Sequence, residues 1–216
     1  EEMIRVFQQL SERIGSRRVI WRYDPILFNR VYTPEYHRKA FSQIASALNG
    51  CTEKCVISFV DTYAKNRKSM ENLKVYDLEK EQLLAFAGSL AKEAGRNHMT
   101  MASCAEAMDL SACGICPNCC IDKGLIEELA GCSIRAGKDK NQRARCGCVE
   151  SVEVGTYDTC LNGCVYCYAN QSRESVRRAR ALYDPDSPLL CGRVGEKDRI
   201  TERKVESLKE TQMSFL

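Results

Sequence analysis

The sequence predicts an α/β fold: a partial (β/α) barrel of parallel strands, followed by a cysteine-rich, loop-dominated region. Three observations carry the prediction. Apolar residues at helical spacing alternate with short apolar runs through residues 1–103. Each apolar run ends beside a charged, polar or cysteine residue. Eleven of the 14 cysteines then fall between Cys104 and Cys167, leaving only Cys51, Cys55 and Cys191 outside.

The elements follow in order. Met3, Phe7, Leu10 and Ile14 recur at helical spacing and Gly15 follows as a stop, so residues 2–14 read as an amphipathic helix. Arg18 to Tyr23 reads as a strand ending at Asp24-Pro25. Thr33 suits an N-cap and Pro34 a first helical position, ahead of the stripe Ala40, Phe41, Ile44 and Leu48. Cys55 to Val60 is nearly continuous in apolar residues, as a parallel strand buried on both faces should be. Asp77 can cap a third helix carrying Leu83, Phe86, Leu90 and Ala94, closed by Gly95, and His98 to Ser103 is a weaker third strand. An αβαβαβ order predicts a parallel sheet with covering helices. Three strands are too few to close a barrel, and a doubly wound sheet is the alternative. The units expected are the partial barrel over 1–103, a cluster-type region over 104–191 and a tail over 192–216.

Composition narrows the function. The 216 residues carry 32 Lys+Arg against 29 Asp+Glu, a net +3 that implies neither nucleic acid nor an anionic membrane by itself. With 44% hydrophobic residues the chain can bury a core, so the cysteines are not needed as the staples of a core-poor secreted domain. No apolar run is long enough to span a bilayer and no signal peptide is visible, so a reducing cytoplasm and metal or cluster ligation are expected.

Active sites of parallel α/β folds lie at the carboxyl ends of the strands. Those ends carry Arg22 with Asp24, then Asp61, then Cys104 with Glu106, which would meet on one rim. Arg22, Asp24 and Asp61 are the candidate catalytic residues. Singly, the two aspartates also fit as turn formers, whereas an arginine in an apolar strand calls for an anionic partner.

Residues 160–167 read Cys-Leu-Asn-Gly-Cys-Val-Tyr-Cys, a C-x3-C-x2-C triplet with Gly163 available for a tight turn. Cys160, Cys164 and Cys167 on one short loop can ligate three irons of a [4Fe–4S] cluster and leave the fourth open. A zinc knuckle is the other reading. Cys146 and Cys148 form a C-x-C pair, and with Cys104 and Cys120 they make four thiols suited to a second, closed cluster or zinc site. Cys146 or Cys148 serving the first cluster is the alternative. The run Cys113, Cys116, Cys119 could be a third cluster or extra thiols near the second, and Cys51, Cys55, Cys132 and Cys191 read as packing. The only histidines, His37 and His98, lack ligand-like spacing.

The stretch from Cys146-Gly147-Cys148 through Gly155–Cys160 to Cys164-Val165-Tyr166-Cys167-Tyr168-Ala169-Asn170 resembles the C-terminal signature of a bacterial family, domain of unknown function 1848. Ile20–Pro25, Cys104–Glu106, Cys120–Asp122 and Lys138–Arg143 resemble its other blocks in the same order. Family members begin with further barrel strands, so the resemblance implies a chain lacking N-terminal strands. It also implies kinship with radical S-adenosylmethionine (SAM) enzymes, with Tyr166 in their aromatic position. On that footing SAM chelates the open iron, and Arg22, Asp24, Asp61 and Tyr166 line the site for SAM and an unspecified small-molecule substrate. A reductant such as ferredoxin or flavodoxin would supply the electron that cleaves SAM. The chain departs from those enzymes in carrying the triplet beyond its strands, and its nearest counterpart of their Gly-Gly-Glu segment is Gly192 to Glu196. Two further classes stand beside this one: an electron-transfer or redox-sensing protein without SAM, and a zinc-stabilised nucleic-acid-binding module. The last rests on the basic stretches Arg173–Arg180 and Lys138–Arg145, which also fit a solvated helix face.

Overall fold

The computed structural model describes residues 1–64 and 66–210; positions 211–216 of the expected tail lie outside the described residues. Four parallel strands, β1 (Trp21–Ile26), β2 (Lys54–Phe59), β3 (Thr100–Ser103) and β4 (Ile115–Pro117), stand side by side in chain order as an open sheet. The helices are α1 (Glu2–Ile14), α2 (Pro34–Ala47), α3 (Arg67–Asn72), α4 (Lys80–Arg96), α5 (Lys123–Ala130) and α6 (Arg173–Ala181). Among the described residues no helix is long and apolar enough to cross a membrane.

Strand register sorts the side chains into two rows. Trp21, Cys55, Met101 and Ile115 are successive partners across the sheet and all join the main core. Their neighbours Arg22, Val56, Ala102 and Cys116 form the next row, and alternation puts them on the opposite face. The first face is covered by α2 and α4, which bury Phe41, Ala45, Phe86, Ala87, Leu90 and Ala94 against it. Ser42 Oγ donates to Glu93 (2.8 Å) and Arg38 Nε to Ser89 (3.1 Å) to tie those helices together. Helix α1 docks beside them through Ile4 and Phe7, and Gln8 donates to the Ala47 carbonyl (2.8 Å) at the end of α2. His37 belongs to this core: Nε2 donates to the Leu27 carbonyl (2.9 Å), leaving Nδ1 to accept from Tyr23 (2.8 Å).

The cysteine-rich half lies over the second face. At the amino ends of the strands Arg17 pairs with Glu128 of α5 (2.5 Å), and at the carboxyl ends Arg143 pairs with Asp61 (2.7 Å). The region has a small apolar nucleus at Ile134 and Val149, which line a cleft together with Ile121 and the more exposed Leu208. The last described residues are stitched into it, with Arg135 donating to the Leu208 carbonyl (2.7 Å) and Glu210 to that of Ser133 (2.9 Å).

Several boundaries differ from expectation for physical reasons. β1 runs through Asp24-Pro25 to Ile26 rather than ending there. It is an edge strand, where an absent proline N–H is tolerated, and its register slips between Tyr23 and Ile26. Helix α4 starts at Lys80 from a Glu79–Gln82 capping box instead of an Asp77 cap, and continues through Gly95. β3 is shorter than expected because His98 takes φ 60 in a turn. α3 and β4 had no expectation at all.

Candidate functional site: two cysteine groups joined through Arg22 and Asp24

Arg22 and Asp24, two apart on β1, share its second face, and their side chains pair directly. Burial works against the Arg22 charge, but bonds to Asp24, Cys104 and Cys120 hold its pKa above the ordinary value. The guanidinium is less buried than its place in the strand suggests, at 40% side-chain exposure, yet it has the anionic partner the sequence required. Ser58 Oγ donates to Asp24 from β2 (3.4 Å). Asp61, just past β2, accepts from Tyr63 (3.1 Å) and Arg143 (2.7 Å). Beside it Glu106 accepts from the Phe59 N–H (2.9 Å), and its carboxyl is pushed up by burial and, after that, by the Asp61 charge.

The first cysteine group gathers where three segments meet near Arg22. Cys104 directly follows β3 and its N–H still bonds Ile57 (2.9 Å). Cys120 follows Asn118, whose N–H donates to Ser103 (2.8 Å), and precedes Asp122, the N-cap of α5. Residues 146–148 are held by Val149 donating to the Ile121 carbonyl (3.2 Å) and Asp139 to that of Cys148 (3.0 Å). Cys104 Sγ lies 3.6 Å from Cys120 Sγ, and Arg22 Nη1 donates to Cys120 Sγ (2.9 Å). Cys148 Sγ accepts from the N–H groups of Cys120 (3.2 Å) and Ile121 (3.3 Å). Burial raises the Cys148 pKa, but those bonds with the neighbouring Cys146 and Cys120 thiols bring it below the ordinary value. A Cβ on Gly147 would stand 2.5 Å from Cys119 Sγ, so the glycine lets that thiol lie against the 146–148 turn.

The run 113–119 is thereby pulled apart. Cys113 turns towards α4, donating to the Leu84 carbonyl (3.3 Å), Cys116 sits on β4, and only Cys119 joins the group around Cys148. Of the two readings of that run, extra thiols beside the Cys104 group describes Cys119 alone.

The second group is the 160–167 loop. Gly163 takes φ 66, and Cys167 donates to the Cys164 carbonyl (3.0 Å), closing a tight turn between those two cysteines. Asn170 Nδ2 ties the loop's base to the Cys160 carbonyl (2.7 Å), and Asp158 donates to that of Ala169 (3.1 Å). The loop docks on the sheet through Asn66, whose Nδ2 donates to the Tyr166 carbonyl (3.1 Å), and through a Tyr63–Tyr168 ring contact at 5.9 Å. Cys160, Cys164 and Cys167 line one pocket of about 530 Å³, with Arg173 and Arg177 of α6 on its wall. Asn170 Oδ1, from another lining residue, is buried with no partner. The Tyr166 phenol is pushed up to about 12 by burial, then by Cys164 and the Asp24 charge.

Asn66, Asn170 and Gly147 are the participants that sequence reasoning passed over. Each acts on residues far along the chain or through backbone, and no local motif marks it. The basic stretch 138–145 is largely engaged within the molecule: Arg143 holds Asp61, Arg145 holds the Glu106 and Ala107 carbonyls, and Lys138 holds that of Ala144.

Among the described residues no three His, Cys, Asp or Glu side chains converge on a point as a single metal ion requires. A cubane makes a different demand, because each thiolate takes a different iron and the ligands stand around a volume. Three thiols around one pocket, with two arginines to offset an anionic thiolate cluster, fit that demand as a donor set.

Comparisons with curated proteins and with solved structures return no match. The family described as Domain of unknown function (DUF1848) matches residues 1–169, a span that takes in the sheet, the Arg22–Asp24 pair and every cysteine of both groups. The chain therefore belongs to that family.

Proposed function

We propose that the protein is an iron–sulfur enzyme of radical SAM type, with its [4Fe–4S] cluster on Cys160, Cys164 and Cys167. The observation carrying this reading is the single pocket lined by those three thiols, walled by Arg173 and Arg177 and bordered by an unpartnered Asn170 oxygen. A cluster held by Cys160, Cys164 and Cys167 would supply single-electron chemistry to SAM. The chain's own residues do the rest. Arg173 and Arg177 offset negative charge, Gly163 shapes the turn, and Asn66 fixes the loop to the sheet through the Tyr166 carbonyl. Asp24, held by Arg22 and Ser58, offers a carboxylate that suits a cationic group of SAM or substrate. The sequential order β1-β2-β3-β4, with no reversal, is the order of an arc of a (β/α) barrel rather than of a doubly wound sheet. A reductant of ferredoxin or flavodoxin type and a reducing cytoplasm complete the reading.

The test is anaerobic reconstitution with iron and sulfide, then SAM and dithionite. A cluster absorbing near 400 nm (roughly, for thiolate-ligated iron) and release of 5′-deoxyadenosine support the enzyme. Cluster formation with no 5′-deoxyadenosine and a spectrum indifferent to SAM refutes it. The second reading, a redox protein without SAM, draws on the Cys104–Cys120 contact beside Arg22 and predicts that latter outcome.

A further inference from the structure

Cys104 and Cys120 are both fixed at the end of β3, one directly and the other through the Asn118 bond to Ser103, with the α5 cap beyond it. Their sulfurs stand 3.6 Å apart, and a disulfide needs about 2.0 Å, so a closure of roughly 1.5 Å joins them. That sulfur–sulfur contact is within hydrogen-bond range. The neighbouring Cys148 sulfur accepts from two backbone N–H groups, those of Cys120 and Ile121. Cys120 is exposed and Cys104 half-buried, which gives the two sulfurs different access to solvent. Arg22 Nη1 (2.9 Å) and Asn118 Nδ2 (3.5 Å) both donate to the exposed one.

We propose that Cys104 and Cys120 form a redox-active dithiol, a two-electron site separate from the 160–167 loop, whose co-reactant is a small-molecule disulfide of glutathione type. Cys120, as thiolate, attacks one sulfur of that disulfide and releases one thiolate, leaving a mixed disulfide on Cys120. Cys104 then attacks the Cys120 sulfur and displaces the second thiolate. The protein loses two thiol protons, which the two leaving thiolates take up, and the two electrons go to the small disulfide. Arg22 is a positioning residue that favours the reduced sulfur. Because it also holds Asp24, it couples the redox state of the pair to the rim. The proposal does not depend on the loop's holding a cluster.

The experiment titrates the full chain with a glutathione buffer, anaerobically, before and after iron–sulfide loading. Two of the 14 thiols should disappear together as one linkage. No Lys or Arg lies between Cys104 and Cys120, so peptides are cut at Asp109 and Asp122 and the link is read by fragmentation. Cys104→Ser should stop at a glutathione adduct on Cys120, while Cys120→Ser should leave Cys104 unmodified. Arg22→Gln should raise the equilibrium constant for oxidation about tenfold, with Arg22→Lys returning most of the change. A dominant Cys146–Cys148 or Cys119–Cys120 linkage overturns the proposal. So does iron bound after loading that falls stoichiometrically in Cys104→Ser or Cys120→Ser, since the pair would then be ligands. Loss of iron confined to Cys160, Cys164 or Cys167 variants bears only on the loop.

Discussion

Replacing Gly147 by Ala isolates one contact that shapes the Cys148 turn. The new Cβ would stand 2.5 Å from Cys119 Sγ, more than 1 Å inside ordinary carbon–sulfur contact, while Asn118 O and Cys119 Cβ remain at 4.0 Å. Gly147 does not take a positive φ, so an alanine meets no backbone penalty there. Overpacking of this kind costs about 1–3 kcal/mol. Reduced freedom of the unfolded chain returns about 0.4–1 kcal/mol. The net expected is about 1 kcal/mol of destabilisation, a fall in Tm of about 2–4 °C for a chain of this size. In a Cys119→Ala background the obstructing atom is gone, and the same G147A change should be stabilising by about 0.5 kcal/mol. Urea denaturation under a strong reductant measures all four members of the cycle. An equal cost of G147A in both backgrounds would falsify the claim that this glycine exists to seat the Cys119 sulfur.

Three further outcomes are expected. Asn66→Ala removes bonds to Tyr63 N (2.8 Å), Asp61 O and Tyr166 O, so it should cost about 2 kcal/mol and lower the iron retained per chain after loading, with helix content by circular dichroism unchanged. Asp122→Ala deprives α5 of a cap accepting from Gly124 N (2.9 Å) and Leu125 N (3.3 Å); about 1 kcal/mol should be lost in urea unfolding and largely kept by Asp122→Asn. Burial lowers the His37 pKa below 6.5 and outweighs its bond to Leu27, so the unfolded chain takes up that proton first. This contribution to stability is therefore complete above pH 6.5 and declines as pH falls through the folded value, a slope that should vanish in His37→Asn.

What was legible in the sequence was whatever local chemistry decides. Thr33-Pro34 marks its helix because an N-cap and a first-turn proline are adjacent residues. The apolar run ending at Phe59 marks a buried parallel strand for the same reason. Pro25 misled because its effect depends on whether its strand is central or at an edge, a property of the whole sheet. α3 escaped notice with a single buried residue, Met70, and no stripe to reveal it. In the site, Arg22 and Asp24 were readable as an unusual charged pair, and Cys160, Cys164 and Cys167 as three thiols on one short loop. The splitting of Cys113 from Cys119 was not readable, because it follows from three residues of β4 joining β3 through long-range hydrogen bonds. Asn66 reaches Tyr166 across 100 residues of chain, and sequence spacing carries no trace of such a bond.

The antiparallel bridge between Ile134 and Lys209 has a polymer consequence. Both the 146–148 turn and the 160–167 loop lie inside the span it joins, so that stretch is a ring closed at its neck rather than a free end. Closing a ring of this length costs entropy that grows only as the logarithm of its contour, so lengthening its middle is cheap while releasing its neck is not. The 160–167 loop is therefore held from both sides, by the sheet before it and by the bridged neck after it.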